Sequence, residues 1–287
     1  MMQPLSRNKR RGYIFFFSLL FIIITPILIL YATGYRFTDT FSLGRTGGLY
    51  ISTNQSGVQI YVNNKLIRET GIFQKNIFVQ NLKPGTFAIE TRKDGFISWK
   101  KELMIYPETV AEARTFMLPN DVILNEILPF VDTDGTPTTS LTILKTKNPE
   151  FTDITSIFLP PKITKKSATT TLDTKILGKL YLKKISGKLH ASWMGNQDER
   201  PLYFCINNIC RNEIIIQTSS SVRSFDFFPG RSDLVIVVLD SGIYVTEIDD
   251  SPGQNTQPIL NGTNLDMRVK DNIVYIKKEV TLYSVSL

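Results

Sequence analysis

Two hydrophobic patterns divide this chain. From Tyr13 to Tyr31 it reads YIFFFSLLFIIITPILILY, 19 residues without a charge. At about 1.5 Å per helical residue this run reaches roughly 28 Å, close to the ~30 Å hydrocarbon core of a bilayer. Lipid cannot satisfy open backbone groups, so the run predicts a transmembrane helix. Tyr13 and Tyr31 stand where interfacial aromatics are expected, and membrane helices tolerate a proline such as Pro26. A cleavable signal is the competing reading. Its apolar region would be about 7–15 residues, with Ala32 and Gly34 as small residues near a cleavage spacing.

Beyond residue 46 the period changes to two. Val58, Ile60 and Val62 alternate with Gln59, Tyr61 and Asn63, then Asn63-Asn64 supplies a tight turn. Lys83-Pro84-Gly85 and Asp94-Gly95 are further turns, with Phe87, Ile89 and Thr91 alternating between them. Trp99, Leu103 and Ile105 share a face that Lys101 interrupts. The pattern predicts a small antiparallel β-sandwich over residues 47–118, after a linker at 32–46.

Residues 119–178 carry little pattern, with a polar loop at Asp132-Thr133-Asp134-Gly135-Thr136-Pro137 and a Ser-, Thr-, Lys- and Pro-rich stretch from Thr138 to Thr171. From Leu180 a repeat of about 40 residues emerges. Its first strands are Leu180-Tyr181-Leu182, Phe225-Asp226-Phe227-Phe228 and Leu265-Asp266-Met267-Arg268-Val269. Second strands start at Leu189, Leu234 and Ile273, and third strands carry Leu202-Tyr203, Ile243-Tyr244 and Leu282-Tyr283. Several strands per repeat of that length resemble β-propeller blades. A propeller closes with about four blades or more. Residues 119–178 could supply a diverged blade, a strand from elsewhere could complete the last one, or the repeats could form an open stack. An irregular sandwich with shared turns is the alternative for 119–287.

The turns of the first β-region carry a resemblance. The segments Gly48-Leu49-Tyr50-Ile51-Ser52, Gly57 with the Val58–Lys65 hairpin, Leu82-Lys83-Pro84-Gly85-Thr86-Phe87, and Lys93-Asp94-Gly95-Phe96 with Trp99 resemble a PEGA domain. The naming tetrapeptide is represented by Gln55-Ser56-Gly57-Val58, which keeps only its glycine. The resemblance implies a small β-module of microbial surface and envelope proteins, with display and binding rather than catalysis. Phe96 and Trp99 then stand as an aromatic ligand platform or, alternatively, as core.

Charge orients the helix. Four of the net +7 charges are Arg7, Lys9, Arg10 and Arg11, immediately before the apolar run. The positive-inside rule keeps residues 1–12 cytoplasmic and exports the rest. The remainder is too weakly basic to predict nucleic-acid binding. A single histidine, His190, and two cysteines leave little material for a metal centre or a His-assisted nucleophile. The sequence predicts no cofactor and no metal. Asp249-Asp250 and Asp240 fall in turns, where Asp is common for backbone reasons.

The cysteines predict chemistry of their own. In Cys205-Ile206-Asn207-Asn208-Ile209-Cys210 a two-residue turn at the asparagines sets Ile206 opposite Ile209 and Cys205 opposite Cys210. Non-hydrogen-bonded partners lie about 4.5 Å apart at Cα, within disulfide reach. An exported location favours the bond. Two free thiols or a metal pair are the alternatives.

The expectation is a mainly β chain with an N-terminal transmembrane helix (13–31), a PEGA-like sandwich and a propeller-like repeat domain. It reads as a non-catalytic, extracytoplasmic binding or structural protein of the envelope. Its partners would be the lipid bilayer and an envelope polymer or surface protein. An extracytoplasmic sensor or assembly factor of a membrane complex is the second reading, and a hydrolase on a propeller-like scaffold the third.

Overall fold

The computed structural model describes residues 6–37, 43–132, 145–159, 174–206, 209–249, 251 and 253–286. The chain opens with helix α1 (Arg7–Ala32), then strands β1 (Tyr35–Phe37), β2 (Leu43–Arg45), β3 (Gly47–Ser52), β4 (Gln59–Val62) and β5 (Lys65–Glu69). It continues through β6 (Asn76–Leu82), β7 (Gly85–Arg92), β8 (Trp99–Ile105) and β9 (Val110–Arg114). Next come β10 (Ile123–Ile127), β11 (Phe130–Asp132), β12 (Lys145–Lys147) and helix α2 (Pro149–Phe158). The remaining strands are β13 (Thr174–Leu177), β14 (Leu180–Ile185), β15 (Lys188–Trp193), β16 (Cys205–Ile206), β17 (Ile209–Cys210) and β18 (Glu213–Ile216). They are followed by β19 (Ser224–Phe227), β20 (Leu234–Leu239), β21 (Gly242–Glu247), β22 (Thr256–Asn261), β23 (Leu265–Lys270), β24 (Ile273–Lys278) and β25 (Thr281–Ser286). Two compact units emerge. Unit 1 comprises Met1–Ser56, Thr70–Ala88 and Leu103–Thr115; unit 2 comprises Gly57–Glu69, Ile89–Glu102 and Phe116–Leu287.

In unit 1, α1 contains the expected apolar run and buries none of its side chains. Its length and composition are those of a membrane span. Thr33 ends it, donating from Oγ1 to the Ile29 and Leu30 carbonyls at 2.9 and 3.1 Å. The stretch expected as a linker forms a short hairpin instead, with Tyr35 opposite Arg45. Arg36 holds it to the helix, donating to the Tyr31 carbonyl at 2.6 Å and stacking 3.7 Å from the Tyr31 ring centroid. Its Nε also reaches Asn81 Oδ1 at 3.2 Å. Strand β3 lies between antiparallel β6 and parallel β9, with Leu49, Ile51, Ile77 and Ala113 buried along one face. At Gly47 a Cβ would lie 2.3 Å from the Tyr106 carbonyl oxygen, so only glycine permits that approach.

In unit 2, β4 and β5 form the expected hairpin, and Asn63 and Asn64 both adopt positive φ (49° and 63°). The four-stranded sheet order is β5-β4-β7-β8. Three further four-stranded antiparallel sheets follow: β13-β14-β15-β18, β19-β20-β21-β22 and β10-β25-β24-β23. Strand β10 is thus the strand from elsewhere that completes the last repeat, pairing Ile123 with Ser286 through Ile127 with Leu282. No sheet closes on itself among the described residues.

The repeat register is corrected at the first sheet. Leu180-Tyr181-Leu182 is its second strand, and β13 precedes it. Leu202-Tyr203 is not a strand. Pro201 leads it into a 3-10 turn and then the Cys205–Cys210 hairpin, after which β18 takes the outer place. This insertion lengthens the first repeat, whereas β20 and β24 keep a spacing of about 40 residues.

The sheets are joined by core and by polar stitches. Leu182, Leu189, Ala191 and Ile214 pack with Phe225, Val235 and Val237. All six residues of β20 are buried, which explains the uninterrupted run Leu-Val-Ile-Val-Val-Leu of a strand covered on both faces. Helix α2, unforeseen in the Ser- and Thr-rich stretch, brings Ile154, Phe151 and Phe158 onto Tyr275 and Leu282. Its start is legible afterwards: Asn148 caps it by accepting from Glu150 N at 3.0 Å, with Pro149 in the first turn. Two aspartates repeat one geometry. Asp226 and Asp266 each accept from the next residue's N–H, at 2.9 and 2.8 Å. Each also reaches the preceding sheet, Asp226 to Lys175 Nζ at 2.6 Å and Asp266 to Ser224 Oγ at 3.0 Å.

Burial distinguishes the two faces of the first sheet. Leu182→Ala, at a fully buried position, should destabilise the protein by about 2–5 kcal/mol. Ile176→Ala, at a position 59% exposed, should stay within about 0.5 kcal/mol of the parent. Denaturant unfolding of the detergent-solubilised chain measures both; equal effects would refute the assignment of faces.

Candidate functional site

Along β8 the residues Trp99, Lys101, Leu103 and Ile105 all point to the buried side. The lysine that interrupts the apolar alternation is therefore a core residue, its side chain only 2% exposed. Within unit 2, Lys101 Nζ lies 2.7 Å from Glu247 Oε2 and 2.5 Å from Asp249 Oδ2. Trp99 Nε1 donates to Glu247 Oε1, and Asn255 N donates to Glu247 Oε2 at 3.1 Å. Asp249 Oδ1 accepts from Ser251 N at 2.7 Å. Glu247 ends β21 and Asp249 opens the connection to β22, so the carboxylates arrive from a strand terminus and a turn. A second polar bridge runs alongside. Gln257, on β22, accepts from Leu118 N at 2.8 Å and donates to the Phe116 carbonyl at 3.3 Å.

An ammonium removed from water costs several kcal/mol unless it is paired and hydrogen-bonded. Here burial works against the charged form, but Glu247 and Asp249 overcome it and hold the Lys101 pKa above its ordinary 10.5. The group is consequently fixed as a cation, the opposite of the free amine that nucleophilic catalysis requires. The arrangement is a clamp, fastening β8 to the end of β21.

The other expected residues are placed as follows. Trp99 is 1% exposed, so it cannot form an open platform with Phe96; the clamp occupies its indole N–H and the core its ring. Phe96 is half-buried, bridges to Pro119, and carries Lys93 Nζ 4.7 Å from its ring centroid. Cys205 and Cys210 form a disulfide across β16 and β17, with Cα atoms 4.0 Å apart and Ile206 opposite Ile209. The Asn207-Asn208 turn lies outside the described residues. His190 Nδ1 is 3.0 Å from Glu213 Oε1 on the neighbouring strand. Asp249 is engaged by the clamp, and Asp250 lies outside the described residues, as does the loop from Thr133 to Pro137. Among the described residues no group of three or more His, Cys, Asp or Glu side chains could hold a metal.

No family model and no curated protein matches this chain. Among solved structures it is similar to one titled AfRom2 CNH domain, at 11% identity and a TM-score of 0.26, covering 77% of this chain and 69% of that one. A likeness at that score carries no argument about fold or function.

Removing Lys101 strands two carboxylates. Lys101→Met should destabilise unit 2 by about 3–5 kcal/mol, and adding Glu247→Gln should cost less than the two changes summed. A raised lysine pKa contributes stability that is complete below the unfolded value and disappears as pH climbs through the folded one. Urea midpoints followed upward from pH 9 should therefore fall more steeply above about pH 10.4 for the parent than for Lys101→Met; parallel curves would exclude the linkage. For the hairpin, the intact mass of protein taken from its native compartment should accept alkylation at Cys205 and Cys210 only after reduction.

Proposed function

We propose that this chain is a membrane-anchored, non-catalytic binding or scaffold protein of the cell envelope, with its strand-rich part outside the cytoplasm. The observation that carries the reading is α1, an apolar helix with no buried side chain that leads directly into β-structure through the Arg36–Tyr31 contact. Arg7, Lys9, Arg10 and Arg11 precede its apolar run, which favours a cytoplasmic N-terminus. The disulfide favours the same orientation, because such bonds persist in oxidising compartments.

Two finer elements belong to the proposal. Residues 47–118 form a PEGA-like module; the positive-φ asparagine turn and the turn glycine Gly95 (φ 78°) suit that reading. The three repeat sheets β13-β14-β15-β18, β19-β20-β21-β22 and β10-β25-β24-β23 form a propeller-like array. Completion of the last sheet by an earlier strand, and the repeated aspartate stitches between sheets, support it. Such a scaffold presents surfaces to an envelope polymer or surface protein while the bilayer holds its base.

Anchoring and topology are separately testable. After alkaline carbonate washing the full-length chain should remain in the membrane pellet, with Arg7 still present. Protease added to intact cells with a permeable outer envelope should degrade residues beyond 46 and spare a fragment ending near Ala32. Release into the supernatant, or protection of the β-structure, would defeat the reading.

A further inference from the structure

The Lys101 cluster in unit 2 holds an amine between two carboxylates whose surroundings differ. Nζ lies 2.5 Å from Asp249 Oδ2 and 2.7 Å from Glu247 Oε2. Glu247 is held at both oxygens, Oε1 by the Trp99 indole N–H and Oε2 by Asn255 N at 3.1 Å. Asp249 is held differently. Its Oδ1 accepts from Ser251 N at 2.7 Å and from the Ser251 hydroxyl, and among the described residues Lys101 is the partner of Oδ2. Two donors at Oδ1 draw charge toward that oxygen and polarise the carboxyl carbon, which leaves Oδ2 as the oxygen free to depart. The Lys101 and Glu247 side chains are 2% and 6% exposed and that of Asp249 24%. The amine and the neighbouring base are therefore dry, while the carboxyl opens toward solvent.

We propose that Lys101 and Asp249 condense into an intramolecular isopeptide bond, with Glu247 as general base. One proton of the Nζ ammonium passes to Asp249 Oδ2, and the nitrogen lone pair attacks Cγ. The charge that develops on Oδ1 is met by the two Ser251 donors. Glu247 Oε2 takes a second proton from the nitrogen and delivers it to Oδ2, which leaves as water while the Cγ=Oδ1 bond re-forms. An ammonium and a carboxylate thus give an amide and one water, with Glu247 regenerated and no co-reactant. Fixed proximity supplies what this condensation lacks in water, since well-oriented groups reach effective molarities of roughly 10⁵–10⁸ M. The product also removes a desolvated charge pair from the core. A lysine that turns over must be free in every cycle, which the ion pair forbids; a bond made once needs the amine free once. The ion pair is the state of newly folded protein, and the amide is the state to which it matures. The bond closes a span of 148 residues and fastens β8 to the connection after β21, whatever compartment the chain occupies.

Intact mass of the full chain, purified in detergent and reduced, tests this directly. Matured protein should weigh about 18 Da less than its sequence, the loss of one water. Trypsin should then release a branched peptide joining residues 101–114 to residues 232–268, because an amidated Lys101 resists cleavage. Asp249→Asn should still link, now losing about 17 Da as ammonia, a signal that also shows the variant folds. Glu247→Gln should stay at full mass. The pH dependence given above belongs to the ion-paired form; linked protein should lack it, since its Nζ no longer titrates. Parent protein that keeps its full mass after prolonged incubation, with the two tryptic peptides separate, would overturn the proposal. So would a water loss mapped to any other pair of residues, Lys101 with Glu247 included, or a Glu247→Gln chain that links as fast as the parent.

Discussion

Everything in unit 2 that involves β8 depends on a buried ammonium keeping two carboxylate partners. Lys101 occupies a position that the pleat assigns to the core, between Trp99 and Leu103. A hydrophobic residue there would pack against any apolar neighbour, whereas a charge accepts only a matching one. Glu247 and Asp249 therefore define where the end of β21 must lie against β8, and Trp99 and Asn255 saturate the remaining acceptor capacity of Glu247. Buried ion pairs add little net stability compared with hydrophobic substitutes, and registry is the best-attested use of such groups. The neighbouring Gln257 bridge has the same character, since each of its bonds ends on a backbone group of residues 116–118. This corner of the unit is specified by directional bonds rather than by area.

What the sequence disclosed depended on how local the cause was. The Asn63-Asn64 turn and the Cys205–Cys210 pairing follow from a few adjacent residues, and the apolar helix follows from one uninterrupted run. The repeat was legible between the second and third sheets, where the spacing is regular. It was misaligned in the first, where the disulfide hairpin adds residues between β15 and β18. Strand β10 carried no periodic signal, because its partner lies at the far end of the repeats. Lys101 was visible as an exception to alternation, but the carboxylates that explain it are more than a hundred residues away. Trp99 was legible as an aromatic and ambiguous as to side, and only its burial decides between core and platform. The close approach of the Phe78 ring to Gly48 was illegible for a related reason: its informative residue is the glycine, whose role lies in an atom it lacks.

The junction after α1 belongs to the same economy of directional contacts. Helix α1 buries none of its side chains and so gains no hydrophobic packing from the body that follows it. Arg36 supplies a substitute, bonding the last turn through the Tyr31 carbonyl, stacking on the Tyr31 ring, and reaching Asn81 on β6. One side chain thus relates the direction of the helix to the first sheet of unit 1.

The late completion of the last sheet also governs how the chain acquires its shape. Ile123 waits for Ser286, a partner 163 residues further along. Until β25 has been made, β10 has no neighbour, and β24 lacks the strand that shields its second edge. Loop-closure entropy makes so distant a pairing slow, and unpaired strand edges invite association with other chains. The protein therefore passes through its biogenesis with an adhesive edge exposed, and losing even the final strand would leave β10 permanently unsatisfied. Its vulnerability in the cell lies as much in the interval before β25 arrives as in the stability of the finished fold.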